Sequence, residues 1–88
     1  MKVKKGFLLK EISEQWILVP TDEFDPDTVK IITLSSTAAL LWRELEKGVS
    51  DIEDLAKALL SEYDIDYRMA YKDSKEFIEE LKALDMLE

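Results

Sequence analysis

Cysteine and histidine are both absent from this chain of 88 residues. Their absence removes disulfides, thiolate nucleophiles, imidazole bases and the usual zinc ligand sets. Carboxylates, Lys, Tyr and Ser or Thr are the groups left for chemistry. Glycine and proline number two each, too few for a flexible or disordered tail. No apolar run approaches the roughly 18 residues that a membrane span needs. The basic opening, Met1-Lys2-Val3-Lys4-Lys5-Gly6, meets Lys10 and Glu11 before a signal-peptide core can form. A cytoplasmic location without membrane contact is therefore expected. Cationic residues are in the minority, 12 Lys and Arg against 20 Asp and Glu. The formal net charge of −8 repels phosphate backbones and anionic membranes and favours basic or neutral partners.

What is present suits a small globular unit. The hydrophobic fraction is 47%, and a chain of this length buries about 60–68% of its unfolded surface, enough for one modest core. A single domain over residues 1–88 is the expectation. Residues 7–12 (FLLKEI) and 15–20 (QWILVP) are strand-like runs, and Ser13 with Glu14 forms the turn of an antiparallel hairpin. Pro20 closes the second strand because it cannot donate to a ladder. The acidic stretch TDEFDPDT, residues 21–28, is a loop, and a third strand follows with Val29, Lys30, Ile31, Ile32, Thr33 and Leu34.

Helices come next. Ser35 or Ser36 caps a first helix in which Ala38, Leu41, Trp42 and Leu45 fall at i, i+3, i+4 and i+7, and Gly48 ends it. Ser50 and Glu53 have the spacing of a capping box for a second helix, whose apolar stripe is Ile52, Leu55, Ala56, Leu59, Leu60 and Tyr63. A third helix begins near Asp66 and runs to about Leu84, with Ala70, Ser74, Phe77, Leu81 and Leu84 as its buried stripe. Strands first and helices after define an α+β class: a three-stranded antiparallel sheet followed by three helices, winged helix-turn-helix-like in outline.

One stretch carries more than a fold. Leu34-Ser35-Ser36-Thr37-Ala38-Ala39-Leu40-Leu41-Trp42 is followed by Gly48, by Tyr63-Asp64-Ile65-Asp66, and then by Asp73, Phe77, Leu81 and the pair Met86-Leu87. This ordered set, over residues 6–88, resembles the PqqD family. Two departures stand out. Asp85 sits where many members have Gly, and Pro20-Thr21-Asp22-Glu23-Phe24 lacks the Pro-Glu-Gly-type turn of members that act in pyrroloquinoline quinone biosynthesis. The resemblance is thus to the family and not to that pathway. It implies a sheet packed on three helices that serves as a non-catalytic peptide-recognition element, with no cofactor of its own. The leader of a ribosomally made precursor peptide would add as an antiparallel strand beside the third strand, in a groove against the third helix. The client would be a maturation enzyme, a radical-SAM protein for example.

The residues themselves offer a candidate surface for this. On the third helix Tyr71, Lys75, Ile78 and Lys82 form a strip on one flank of the core stripe, mixing aromatic, apolar and cationic groups suited to an acidic-leaning peptide. Tyr71 and Ile78 can equally widen the core stripe. The third strand, if its outer edge is unpaired, is the other wall. Asp73 is read as a structural cap or pair, and Glu76, Glu79 and Glu80 as a solvated face.

Other functions fit less well. Asp22, Glu23, Asp25 and Asp27 crowd one loop, but they lack the desolvated pocket that catalytic carboxylates need and the glycine and ligand spacing of a calcium loop. A generic protein–protein adaptor shares almost every feature. A winged-helix DNA-binding regulator needs a basic footprint, yet the third helix and tail set Arg68, Lys72, Lys75 and Lys82 against Asp66, Asp73, Glu76, Glu79, Glu80, Asp85 and Glu88. The protein is accordingly expected to give no salt-sensitive gel shift with duplex DNA at submicromolar concentration, and such a shift would reverse the assignment.

Overall fold

The computed structural model describes residues 1–21 and 32–88. Strands β1 (Phe7–Ile12) and β2 (Gln15–Pro20) pair antiparallel from Phe7 opposite Pro20 to Ile12 opposite Gln15. The turn between them has Ser13 at φ 50° and Glu14 at φ 67°, the two positive values that a type I′ hairpin requires. β3 (Ile32–Leu34) pairs with β2 through Leu18–Ile32, Ile17–Thr33 and Trp16–Leu34, giving the sheet order β1-β2-β3. Val29, Lys30 and Ile31, read from the sequence as the start of this strand, lie outside the described residues, as do the loop acids Asp22, Glu23, Asp25 and Asp27.

Alternation along the strands decides what the sheet covers. Phe7, Leu9, Leu18, Ile32 and Leu34 share the face that packs into the core, while Leu8 and Ile12 remain exposed on the other. Trp16 lies opposite Leu34 on the helix-facing side, and the Arg43 guanidinium sits 4.7 Å from its ring centroid. The core itself is built by three helices, α1 (Ser36–Lys47), α2 (Ile52–Glu62) and α3 (Tyr67–Ala83). Leu41, Trp42, Leu45, Leu55 and Leu59 are all buried, and Phe7 meets the Trp42 ring edge-on with centroids 6.2 Å apart.

Each helix starts on a side-chain cap. The Ser35 hydroxyl accepts from the Ala38 N–H at 3.1 Å, and the Asp66 carboxylate accepts from the Met69 N–H at 2.8 Å. For α2 the capping box is one residue further on than the Ser50–Glu53 spacing suggests. Asp51 is the N-cap and accepts from the Asp54 N–H at 3.2 Å, while the Asp54 carboxylate accepts from the N–H groups of Asp51 at 3.4 Å and Ser50 at 3.0 Å. Two overlapping patterns, S-x-x-E and D-x-x-D, compete here. The second puts a charged acceptor at the N-cap, where helix-end N–H groups and the helix dipole both favour it. Gly48 ends α1 at φ 92°, and its N–H donates to Glu44 and Leu45 carbonyls at 3.1 Å.

The ends of the described structure are joined. Val3 is buried and bridges Leu87, the Lys4 N–H donates to the Met86 carbonyl at 2.8 Å, and the Glu88 N–H donates to the Lys2 carbonyl at 2.9 Å. The Lys4 ammonium stands 2.9 Å from the Asp85 carboxylate. Asp85 has φ 56°, a left-handed conformation that Asp tolerates better than most residues. Leu84, read as core from its spacing, is instead 56% exposed, because the helix ends at Ala83 and the chain turns before its side chain can reach the interior.

The α2 cap generates a direct comparison. Asp51→Ala is expected to lower stability by about 0.5–2 kcal/mol, whereas Ser50→Ala is expected to stay within about 0.5 kcal/mol of the parent. Urea unfolding of both variants checks this, and equal losses would restore Ser50 as the cap.

Candidate functional site

Helix α3 determines the site, and its rotation is read from its buried residues. Ala70, Ser74, Phe77, Ile78 and Leu81 face inward, a stripe at the 3.6-residue period. Ser74 is fully buried and donates its hydroxyl to the Ala70 carbonyl at 2.8 Å, so a polar side chain is satisfied within its own helix. Ile78 is only 1% exposed and belongs to the core. It is therefore no part of a surface strip.

The remaining members of the expected strip lie on one flank, and the concavities that Tyr71 and Lys82 border include no β3 residue. Tyr71 borders a concavity with Ser50, Asp51, Ile52 and Glu53 at the start of α2, and its ring tilts against Tyr67 with centroids 6.1 Å apart. Lys82 borders a second concavity with Asp85, Leu87 and Glu88. Lys75 is exposed between these two turns. Tyr71 and Lys82 thus share no concavity with β3. Periodicity defines the stripe of an amphipathic helix, but which flank meets which neighbour depends on how the helices pack.

The opposite flank forms a cleft. Asp73, Glu76, Phe77 and Glu80 of α3 face Ser35, Thr37, Ala38 and Leu41 of α1 across about 180 Å³. That volume is on the scale of one side chain and falls below the roughly 300–1,000 Å³ of small-molecule pockets. Phe77, Leu41 and Ala38 supply apolar surface, and three carboxylates with two hydroxyl-bearing residues supply the polar lining. The Ser35 and Thr37 hydroxyls are 3.1 Å apart. Leu84 continues the row Asp73, Phe77, Glu80 by helical spacing.

The cleft opens where β3 ends, since Ser35 follows Leu34 directly. β2 occupies one side of β3, and no strand among the described residues occupies the other. Of the expected strand residues, Ile32, Thr33 and Leu34 form this edge, with Thr33 exposed. An open edge offers unpaired N–H and C=O groups as a template for another strand. Sequence reasoning assigned Asp73 to capping or pairing, yet it does neither among the described residues. Glu76 and Glu80 were read as plain solvated surface, and Phe77 as core alone. Their shared spacing at i, i+3, i+4 and i+7 from Asp73 was the available signal.

No group of acidic residues able to hold a metal ion occurs among the described residues, and no helix there is long and apolar enough to cross a membrane.

A three-stranded antiparallel sheet followed by three helices, with an open sheet edge beside a helix-walled cleft, defines a small winged-helix-like α+β module. The family model for coenzyme PQQ synthesis protein D (PqqD) matches residues 24–87, and the chain belongs to that family. No curated protein sequence matches it. Two solved structures share the fold. TbiB1 in complex with the TbiA(beta) leader peptide has a TM-score of 0.75 and 23% identity, covering 100% of this chain and 95% of its own. Lasso peptide synthetase B1 complexed with the leader peptide has a TM-score of 0.72 and 24% identity, covering 97% of this chain and 93% of its own.

The two flanks of α3 differ in what mutation does to stability. Ile78→Asp is expected to cost at least about 3 kcal/mol, since it empties a core position and buries an unpaired carboxylate. Lys75→Glu is expected to leave the unfolding midpoint within about 0.5 kcal/mol of the parent. Thermal or urea melts decide the matter, and an unchanged midpoint for Ile78→Asp would return that residue to the surface.

Proposed function

We propose that this chain is a non-catalytic, cytoplasmic peptide-recognition domain spanning residues 1–88. It binds the leader of a ribosomally made precursor peptide and presents it to a maturation enzyme, for which a radical-SAM protein is one fitting class. The observation that carries this reading is the juxtaposition of the cleft between α1 and α3 with the β3 edge that no described strand pairs. An extended peptide added beside β3 gains main-chain hydrogen bonds that tolerate many sequences. Alternate side chains of such a peptide point to one face, and one of them can enter the cleft beside Phe77. The two structural neighbours, each solved with a leader peptide bound, support the same reading, as does membership of the PqqD family.

This activity requires binding energy and orientation only, and no cofactor enters it. The chain lacks thiol and imidazole groups, and the site's carboxylates stand at the rim of an open cleft. That is a poor setting for the split pKa values of acid–base catalysis.

Titration with the leader of the precursor encoded beside this chain tests the proposal. Amide resonances of Ile32, Thr33 and Leu34, with those of Ser35, Thr37, Asp73 and Phe77, are expected to shift. N-methylation walked along the peptide is expected to abolish binding at alternate residues only, because every second amide of an added strand faces its neighbour. Shifts confined to α2 or to the outer sheet face around Leu8 and Ile12 would rule out strand addition.

A further inference from the structure

The peptide partner can be specified further from the lining of the cleft. Phe77, Leu41 and Ala38 form its apolar part, while Asp73, Glu76 and Glu80 stand around it on one helix. Among the described residues, no cation lies within ion-pair distance of these three carboxylates. The two salt bridges there are Lys4–Asp85 and Lys47–Glu44. Glu76 and Glu80 are also four apart on α3, a spacing at which like charges repel. A ligand cation there would meet carboxylates that have no cationic partner among the described residues.

One type of side chain answers both features. Lys and Arg lay an aliphatic stem on apolar surface and keep a charged head in a polar setting. A carboxylate or phosphate in the same position would meet three negative charges. The size of the cleft, about 180 Å³, suits a single side chain. We propose that the peptide bound beside β3 carries a Lys or Arg whose stem rests on Phe77 and whose charge lies among Asp73, Glu76 and Glu80. This inference rests on the peptide-binding reading above and names the class of leader: one with a basic residue within its strand-forming segment. It reverses the acidic-leaning partner that Lys75 and Lys82 suggested, because those lysines lie on the far flank of α3 from the cleft.

The test uses the full chain and a random-peptide display library selected against it at low ionic strength. Enriched peptides are synthesised and measured by calorimetry and amide shifts. Binders that shift Ile32, Thr33 and Leu34 are expected to carry Lys or Arg and to weaken as salt rises. Glu76→Lys and Glu80→Lys are each expected to weaken them roughly two- to fivefold, and a Lys→Glu exchange in the peptide is expected to restore affinity for the double variant. Glu80→Lys on its own is expected to raise the melting temperature of the free protein slightly, since it converts a repulsive i, i+4 pair into an attractive one. A loss of peptide affinity therefore cannot be a loss of fold. Neutral or acidic binders that still shift β3, and that ignore both reversals, would overturn the basic-residue assignment and leave peptide recognition standing. A selection yielding no peptide that shifts β3 or the cleft would overturn the peptide-binding reading as well.

Discussion

The rotation of α3 about its own axis controls everything that the proposed site depends on. It goes with packing against α2, which buries Ala56, while the buried row of α3 includes Ala70 and Ser74. Small side chains let two helix backbones come close, and close packing leaves little freedom to roll. With that row held, Ile78 and Leu81 turn inward and Phe77 comes to the margin of the core. Asp73, Glu76 and Glu80 are carried round to the side that faces α1. A roll of a fraction of a turn would expose Ile78 and carry the carboxylates away from the margin of α1. The chemistry of the cleft is thus a consequence of how two helices pack some distance from it.

Most of the architecture could be read from residue pattern alone. The hairpin was legible because two β-rich runs flank a two-residue gap, and α1 because Ser35 and Gly48 bracket an apolar period. The core was legible where spacing and hydrophobicity agree, as at Leu55 and Leu59. What escaped had specific causes. At α2 two capping patterns overlap by one residue, and only the hydrogen bonds distinguish Asp51 from Ser50. Leu84 has helical spacing, but the helix stops one residue before it. The α1 cleft on the Asp73 flank of α3 was not foreseen, because a helical wheel has no information about which neighbour lies left or right. The contacts of Val3 and Lys4 with the far end of the chain have no local signature at all, since β-bridges between distant residues depend on the finished fold.

Charge has two roles in this molecule. The third helix has no cationic excess, and with its cap and tail it is net negative, which removes the electrostatic footing for nucleic acid that a winged-helix outline would otherwise invite. The same carboxylates, gathered on one side of α3, give a peptide site a polarity of its own. Family membership accounts for the scaffold, which many sequences could share. Under the proposed reading, discrimination among peptides falls to side chains, and those that line the cleft with Phe77 are Asp73, Glu76 and Glu80.

The hydrogen bonds that tie Lys2 and Lys4 to Glu88 and Met86, with the Lys4–Asp85 pair beside them, bring the two ends of the described chain together into a near-closed loop. A short covalent spacer across those ends, with the backbone opened between Ser13 and Glu14, would produce a circular permutant that keeps the core, the cleft and the β3 edge. Opening at that turn would also release two non-glycine residues from positive φ. In the chain as it stands, both ends lie on the Lys82 side of α3, where Met1, Leu87 and Glu88 line one concavity with Lys82, on the other flank from the α1–α3 cleft.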